Sequence, residues 1–376
     1  MEGNTWSANE KRRATLTRVA RELGVSSMTV SNAYNHPDRL SPALRERVFE
    51  TARRLGYAGP DPVARSLRRQ RTNVVGVLYS NPLSYAFDDP AQVLFLKGLA
   101  AATEAAGMGL VLVPGSVGSS AEERASAVME AAVDGFIVYS IAEDDPLVEA
   151  ALRRRLPTVM VDQPLQEGVP FVGIDDESTA REVAEHLLEL GHERFGVVAF
   201  AIAGEGGFSG FAGSRRQGSA TLRVSRARLA GYAAALEAAG LTWEEVPVYE
   251  CPGSSQALGH EAADALFSVE PRPTAILCLS DRLALGVIEV ARERGLCVPE
   301  DLSVAGFDDV SEAAISTPPL TTVHQDHADK GELAGRLLVE RLRGEEALDP
   351  ALLPARLVVR GSTGRAPQGR SRRQRE

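Results

Sequence analysis

Acidic and hydroxyl side chains follow several short apolar runs in the middle of the chain. Asp162 follows "PTVMV", Ser280 and Asp281 follow "TAILCL", and Asp308 follows "SVAGF". An ionised carboxylate accepts hydrogen bonds from two hydroxyl groups at once, and a serine hydroxyl donates or accepts. These residue types favour the noncovalent binding of a small polyhydroxyl molecule.

A further polar stretch, "SNPLSYAFDDP", follows the apolar run "VVGVLY". Tyr85 and Phe87 can stack on the face of a sugar or a nucleobase, and Asp88 adds a carboxylate beside them. Binding pockets commonly combine aromatic walls with a few well-placed polar groups. We therefore expect these three side chains to belong to the same site.

The elements that must position these residues alternate between strand and helix from Val74 onwards. Short apolar strands separated by amphipathic helices predict parallel, doubly wound sheets. A second series of such elements begins near Phe171, so we expect two lobes. Ligands of open parallel sheets bind beyond the carboxyl ends of the strands. The polar strand ends should therefore line a cleft between the lobes.

The first sixty residues have a different pattern, that of three short helices. Thr15 can cap a helix that ends at Leu23, and Gly24 then suits a turn with positive φ. Ser26 can cap a second helix, and Ser41 followed by proline predicts the start of a third. The first two helices predict a helix-turn-helix, which places its second helix in the major groove of DNA.

Charge is distributed unevenly along this chain of 376 residues, whose formal net charge is −10. Residues 1–71 hold 14 Lys/Arg against 7 Asp/Glu, and residues 360–376 hold 6 Arg against one Glu. The intervening residues, 72–359, therefore carry a net charge of −22. A basic N-terminal module favours contact with phosphates, whereas the acidic body discourages nonspecific binding to DNA. We interpret residues 364–376 as a disordered basic tail.

Several functional classes lack support in the sequence. Cys251, Cys278 and Cys297 form no C-x-x-C pair, which indicates reduced thiols in a cytoplasm. The N-terminus has no apolar signal region, and no apolar run is long enough to span a membrane. No G-x-S-x-G motif occurs, and His324 and His327 have no nearby cysteine or third histidine to complete a metal site. We expect no catalytic activity, no cofactor, no metal and no membrane partner.

The stretches "TLTRVARELGVSSMTVSNAYN" and "LSPALRERVFETARRLGY" resemble the N-terminus of the LacI/GalR family of bacterial transcription regulators. The resemblance implies that Ser27, Met28 and Asn32 read bases. Asparagine can bind adenine through two hydrogen bonds, and Met28 can contact a thymine methyl group. The resemblance also implies that a further set of residues contacts phosphates or holds the helix in register on the DNA. These residues are Thr15, Ser26, Thr29, Ser31 and Asn35.

A linker, "AGPDPVARSLRRQRTN", follows this module. Residues 63–69 can form two helical turns, but a helix of that length is not stable alone in water. The resemblance implies a hinge helix that orders on operator DNA and inserts Leu67 into the minor groove, with Ala64 and Arg65 as further contacts. The linker has one residue more between Tyr57 and Leu67 than the commonest form of the family.

The body contains further segments that resemble the periplasmic-binding-protein-like core of the same family: "DGFIVYS", "LGHERFGVV", "SRARLAGY", "LSDRLALGV", "SVAGFDD" and "PPLTTVHQD". The resemblance implies that Arg228 and Asp308 hold an effector. It implies the same, less directly, for Asp162, Ser280, Asp281 and His327. Asparagine is commoner in the family at the position of Ser280.

The predicted fold is a small all-α helix-turn-helix domain plus an α/β two-lobed domain with parallel, doubly wound sheets. The predicted domains are residues 1–59, a hinge at 60–73, and a body at 74–363. Lobe 1 is expected at about 74–175 plus 325–354, and lobe 2 at about 176–322 plus 355–363. The glycine-rich segment 203–225 is longer than usual for the family, and it predicts either a flexible loop or a lid.

The resemblance implies a repressor of carbohydrate-use genes that a small sugar-like effector releases from palindromic operator DNA. We expect a homodimer, because the sequence after Gly361 lacks the leucine heptad of tetrameric family members. We also expect a bacterial cytoplasmic protein that joins the nucleoid when bound to its operator. The alternative is a sugar- or nucleoside-binding protein whose DNA binding is promoted by a corepressor or is independent of ligand.

Overall fold

A computed structural model describes residues 15–59, 71–115, 120–204, 207–345 and 350–367. The chain divides into two compact units, Met1–Thr72 and Asn73–Glu376, and each is described here by itself. The predicted hinge residues Ala64, Arg65 and Leu67 lie outside the described residues. Among the helices that are described, none is long and apolar enough to cross a membrane.

Within residues 15–59, the first unit forms three α-helices, which are α1 (Leu16–Leu23), α2 (Ser27–Asn35) and α3 (Pro42–Leu55). The predicted caps are confirmed, because the side chains of Thr15, Ser26 and Ser41 each accept a backbone N–H from the first turn. Gly24 ends α1 with a φ of 66°, as the turn between the helices requires. The core of the unit comprises Val19, Ala20, Val30, Ala33, Val48 and Ala52.

Lobe 1 of the second unit is built on a six-stranded parallel sheet with the strand order β12-β5-β4-β3-β1-β2. Its strands are β1 (Val74–Tyr79), β2 (Gly109–Pro114), β3 (Gly135–Tyr139), β4 (Thr158–Val161), β5 (Phe171–Gly173) and β12 (Ala351–Leu352). Its helices are α4 (Leu83–Asp88), α5 (Pro90–Ala105), α6 (Ala121–Glu130), α7 (Pro146–Arg153) and α14 (His327–Leu342). Helix α14 packs along α5, so the chain returns to lobe 1 after completing lobe 2.

Lobe 2 is built on a five-stranded sheet with the order β10-β9-β6-β8-β7, in which only the short β7 is antiparallel to its neighbour. Its strands are β6 (Phe195–Ala199), β7 (Gly210–Phe211), β8 (Val248–Glu250), β9 (Ala275–Cys278) and β10 (Ser303–Ala305). Its helices are α8 (Asp176–Glu189), α9 (Ser214–Gln217), α10 (Arg223–Ala238), α11 (Gln256–Leu266), α12 (Asp281–Glu293) and α13 (Ser311–Ile315). A separate antiparallel pair is formed by β11 (Thr322–Gln325) and β13 (Ala355–Val358).

This architecture confirms the predicted fold class, with two differences in detail. Strand β5, which begins at Phe171, joins the sheet of lobe 1 although the second series of elements was expected to begin there. The disordered tail was predicted from residue 364, but Gly364 accepts a hydrogen bond from His192 and Ala366 donates one to Leu190. The first residues after 363 are therefore packed on lobe 2. Their backbone supplies a hydrogen-bond partner that the buried His192 ring needs.

Candidate functional site

A cavity of about 230 Å³ lies between the two lobes of the second unit. Its wall is formed at the carboxyl ends of β1, β3 and β4 in lobe 1 and of β6, β9 and β10 in lobe 2. The wall includes residues predicted from the polar strand ends and from the family resemblance. These are Tyr85, Asp162, Arg228, Ser280, Asp308 and His327.

Three other predicted effector residues lie outside this wall. Phe87 is 61% exposed, and Asp88 is also exposed, because both lie on the outward side at the end of α4. Asp281 is completely buried, where its carboxylate accepts hydrogen bonds from the backbone of Val310 and the hydroxyl of Thr322. Burial raises the pKa of Asp281 to about 7. Asp281 therefore holds the loop after β10 in place and does not face the cavity.

Three wall residues have an unusual backbone conformation. Ser140, Asp162 and Asp308 have φ angles of 51°, 61° and 121°, in the left-handed region that side chains other than glycine rarely adopt. Each follows the carboxyl end of a strand that points toward the cavity. Backbone strain of this kind concentrates at ligand-binding sites, where the surrounding structure must hold it. Its coincidence with the cavity supports a binding role for these strand ends.

Arg228 is a buried cation with fixed partners. Its Nε donates to Asp176 Oδ1 at 3.0 Å, and its Nη1 donates to the carbonyl of Leu279 at 2.6 Å. The carboxylate of Asp308 lies 3.9 Å from the same Nη1, and the guanidinium stacks 3.5 Å from the centre of the Phe307 ring. Arg228 therefore anchors the lobe 2 side of the cavity in addition to lining it.

A chain of hydrogen bonds connects the two wall carboxylates across the lobes. Lys330 Nζ donates to Asp162 Oδ1 at 2.6 Å and to Gln325 Oε1 at 2.7 Å. Gln325 Nε2 in turn donates to Asp308 Oδ1 at 2.7 Å. Lys330 and Gln325 were not predicted from the sequence, although Gln325 belongs to the "VHQD" motif. A ligand that contacts either carboxylate is thus connected to the segment that crosses between the lobes.

Three polar side chains in the wall have buried atoms without a hydrogen-bond partner among the described residues. They are Tyr79 through its hydroxyl, Gln92 through Oε1, and His327 through both ring nitrogens. The nearest carboxylate oxygen recorded for His327, on Asp308, is 3.8 Å away and thus beyond hydrogen-bonding distance. Leaving such a group unsatisfied costs about 1–3 kcal/mol.

The His327 ring is neutral at physiological pH. Burial lowers the pKa of His327 well below its usual value, and the positive charges of Lys330 and Arg228 lower it further. A neutral imidazole presents one donor and one acceptor, the combination that a hydroxyl group on a ligand can match. The family resemblance implied a role for His327, whereas Tyr79 and Gln92 are recognised as wall residues only from the folded structure.

Substitution of His327 by phenylalanine should change how stability depends on pH. In the wild type, the unfolded chain takes up a proton at His327 below pH ~6.5 whereas the folded chain does not, so stability falls as pH falls. The stability of His327→Phe relative to wild type should therefore rise by about 1.4 kcal/mol between pH 7.5 and pH 5.5. Urea denaturation at both pH values measures this difference, and equal differences would contradict the neutral, buried ring.

The charge of the wall limits which ligands can bind. Among the described residues that line the cavity, Asp89, Asp145, Asp162 and Asp308 carry carboxyl groups and Arg228 is the sole arginine or lysine. Arg228 already pairs with Asp176. A phosphate group would find no unpaired cation among these wall residues. The wall suits an uncharged polyhydroxyl ligand.

Tyr85 connects the lobes at the edge of the cavity. Its hydroxyl donates to the carbonyl of Ser254 at 3.0 Å and accepts from the Ser254 backbone N–H at 3.2 Å. Burial raises the pKa of Tyr85 to about 12. The hydroxyl of Ser254 is also 2.7 Å from that of Ser280. Tyr85 therefore joins lobe 1 to lobe 2 and lines the cavity, with the Arg282 guanidinium 5.7 Å from the centre of its ring.

The second predicted site lies on α2 of the first unit. Met28 is 68% exposed and Ser27 beside it is exposed, whereas Val30 and Ala33 on the opposite face are buried. Asn32 is partly exposed. The remaining predicted residues mostly make local contacts within the unit: Ser26 with Thr29, Asn35 with Ser31, and Thr15 with Arg18. The exposed face presents hydroxyl, amide and thioether groups, which suits contact with base edges and phosphates.

Neither site resembles a metal centre. Within the described residues, no group of three or more histidine, cysteine, aspartate or glutamate side chains could hold a metal ion. The arrangement instead combines an exposed helix face in one unit with a cavity lined by polar strand ends in the other.

Comparisons with known proteins match both units. Residues 15–59 match the family model described as bacterial regulatory proteins, lacI family. Residues 184–363 match the model described as a periplasmic binding protein-like domain. An HTH-type transcriptional regulator of Mycobacterium tuberculosis is 44% identical over 368 residues, which cover 96% of this chain and 99% of the relative.

Two solved structures extend the comparison to ligands of relatives. A complex of the transcriptional regulator CelR with cellobiose is similar with a TM-score of 0.68 and 31% identity, covering 93% of this chain and 100% of that chain. The lac repressor dimer bound to operator and an anti-inducer is similar with a TM-score of 0.75 and 26% identity, covering 94% of this chain and 100% of that chain.

Proposed function

Because this chain belongs to the LacI family of bacterial transcriptional regulators, we propose that it represses carbohydrate-use genes and that a small sugar-like effector releases it from operator DNA. The observation that carries this proposal is the cavity between the lobes, whose wall combines the carboxyl groups of Asp162 and Asp308 with the hydroxyl groups of Tyr85 and Ser280. Relatives named as transcriptional regulators, and not as enzymes, agree with a binding role.

The effector is an uncharged, small polyhydroxyl molecule. The wall carboxylates of Asp162 and Asp308 can accept ligand hydroxyls, while the paired state of Arg228 disfavours sugar phosphates. The cavity of about 230 Å³ is smaller than the roughly 300–1,000 Å³ typical of pockets for drug-sized ligands. The cellobiose complex of the related CelR supports a carbohydrate as the class.

The DNA partner is a palindromic operator read by α2. Ser27, Met28 and Asn32 contact base edges in the major groove, and the hydroxyl groups around them contact phosphates. The hinge residues Ala64, Arg65 and Leu67 add minor-groove and phosphate contacts, as the family resemblance implies. An operator with two half-sites requires two copies of the chain.

A homodimer forms through the β2 side of lobe 1. Strand β2 is at the edge of its sheet, and Val111 on it is 43% exposed. Helix α5 packs beside it and exposes Val93 and Leu94. An apolar edge strand requires a cover, because unpaired edges otherwise promote aggregation. A second copy provides that cover, as the dimeric state of the related lac repressor structure supports.

Effector and operator act on the same equilibrium. A ligand that contacts both lobes changes the position of one lobe relative to the other. This change alters the separation of the two hinge segments in a dimer. The site of action is the bacterial cytoplasm, with the protein on the nucleoid when it is bound to its operator.

The proposal predicts that an uncharged sugar weakens operator binding by about 5- to 150-fold, the range of typical allosteric coupling. The operator is first selected from random DNA with the full-length protein, and its affinity is then measured by fluorescence anisotropy against a panel of neutral sugars and their phosphates. Each sugar that acts should also raise the melting temperature, with about 2.7 kcal/mol of stabilisation at 100 times its dissociation constant.

The sugar phosphates are the matched control. A phosphate that binds more tightly than its parent sugar would contradict the assignment of a neutral ligand. A ligand that stabilises the protein but strengthens operator binding would show a corepressor. Operator affinity unchanged by any stabilising sugar would leave only a DNA-binding protein with an uncoupled cavity.

A further inference from the structure

The glycine-rich region between β6 and α10 forms part of the cavity wall. We call residues 203–222 the cleft-wall segment, of which 203–204 and 207–222 are described. The sequence left open whether this region is a flexible loop or a lid. Its described part contains β7, which pairs with β8, and α9, whose Gln217 accepts a hydrogen bond from Trp243 at 2.9 Å. The described part of the segment is therefore folded onto lobe 2.

A buried ion pair anchors this segment. Glu250 at the end of β8 is 0% exposed. Its carboxylate accepts two hydrogen bonds from Arg216, from Nε at 2.8 Å and from Nη2 at 2.7 Å. It also accepts one from the backbone of Ile202 at 2.8 Å. Paired hydrogen bonds between arginine and a carboxylate fix orientation as well as distance, so the segment has a defined position.

The two ends of the segment meet at the cavity. The Leu222 backbone donates to the carbonyl of Ile202 at 3.1 Å, and the Gly204 backbone donates to the Thr221 hydroxyl at 3.0 Å. Ala203, Gly204 and Leu222 line the cavity. We call residues 202–204 and 221–222 the neck of the segment. The ion pair at Glu250 thus holds the neck in the cavity wall.

The neck touches lobe 1 at the loop between β3 and α7. The backbone of Glu143 in that loop donates to the Thr221 carbonyl at 3.5 Å. A Cβ atom added to Gly204 would lie 2.7 Å from Ala142 Cβ, which is closer than real Cβ contacts allow. Gly204 is not among the described residues with positive φ. Glycine is needed here for space between the lobes and not for its backbone conformation.

We propose that Gly204 is a positioning residue of the effector cleft. Because Gly204 has no side chain, the cleft-wall segment packs closely against Ala142 of lobe 1. This contact, which we call the seat, sets how far the lobes close. The proposal deepens the regulation of the same site, and its use in gene control rests on the proposed function. Opening the cleft at this side breaks the seat between Gly204 and Ala142. A ligand that stabilises or prevents this seat changes the relation of the lobes.

Hydrogen exchange of the ligand-free, full-length protein tests the seat. In Gly204→Ala the added methyl group separates the neck from Ala142, so the Glu143 amide should lose protection and exchange on the order of fivefold faster. Gly213→Ala is the matched control in the same segment, because an added Cβ there meets no atom within 4 Å. In the double variant Gly204→Ala/Ala142→Gly, the space is restored and exchange should return to the wild-type rate.

Each outcome decides the proposal. Unchanged exchange at Glu143 in Gly204→Ala overturns it, as does an equal acceleration in Gly213→Ala. Acceleration throughout lobe 2 that the Ala142→Gly change does not reverse also overturns it, since this would report general misfolding. The experiment uses neither sugar nor DNA, so failure to find an effector would affect the proposed function and leave the seat intact.

Discussion

Replacing Arg228 by alanine is expected to lower the free energy of unfolding of the second unit by about 3–5 kcal/mol, the cost of removing one partner from a buried ion pair. The substitution removes the hydrogen-bonded cation of the Asp176 carboxylate, which is only 1% exposed, and leaves Arg223 at 3.5 Å as its remaining ion-pair partner among the described residues. It also removes the donor to the carbonyl of Leu279. The family resemblance assigns Arg228 to the effector, whereas the contacts also make it a buried structural partner of Asp176 and Leu279.

The loss should depend on pH. Burial raises the pKa of Asp176, while the charge of Arg228 lowers it. Without Arg228 the carboxyl group becomes easier to protonate, and a neutral carboxyl costs less to bury than an ionised one. The destabilisation of Arg228→Ala should therefore be smaller at pH 5 than at pH 8.

Urea denaturation of the full chain measures this prediction through the transition of the second unit. Arg181→Ala is the control, because Arg181 pairs with Glu185 on the surface of α8 and such a pair contributes about 0–1 kcal/mol. The double variant Arg228→Met/Asp176→Leu should recover part of the stability, since it removes the buried Asp176 charge together with its cation, whereas Asp308 and Arg223 each lose one ion-pair partner. An Arg228→Ala protein within about 1 kcal/mol of wild type would show that Asp176 is satisfied by other groups.

The parts of the fold that depend on local sequence could be predicted. Ser26 caps α2 through its own hydroxyl, and Gly24 has the positive φ that its position required. The placement of Asp162 and Asp308 in the cavity wall also follows from a local rule, because parallel strands end at the same edge of a sheet. Asp281 shows the limit of that rule, since the turn after β9 directs its carboxylate into the core.

The rest of the site depends on contacts between distant segments. Lys330 reaches Asp162 from a helix 168 residues further along the chain, and Arg216 finds Glu250 across 34 residues. A lysine in a helix and an arginine in a glycine-rich region are ordinary surface residues in any local pattern. Both pairs form within a lobe but between segments far apart in the chain, so the sequence predicted a cleft but not its charge network or the cleft-wall segment.

Val30→Asp is expected to abolish operator binding while the second unit remains folded. Val30 is 0% exposed in the small core of the first unit, and the described contacts give a buried carboxylate there no cation. A core of this size supplies roughly 3–5 kcal/mol, and burying an unpaired charge costs at least as much. The first unit should unfold, and operator affinity should fall toward the nonspecific level, a loss on the order of 10³-fold or more.

Met28→Ala is the matched substitution on the opposite face of α2. Met28 is 68% exposed, so its removal should leave the first unit folded and cost only about 1–3 kcal/mol in affinity for the operator. Circular dichroism reports the helices, and anisotropy reports binding to the selected operator and to one with the contacted base pair changed. Met28→Ala should reduce the preference between these two sites, because a lost base contact lowers specificity as well as affinity. If Val30→Asp retained operator binding, or if Met28→Ala bound both sites with wild-type preference, α2 would not be the element that reads the DNA.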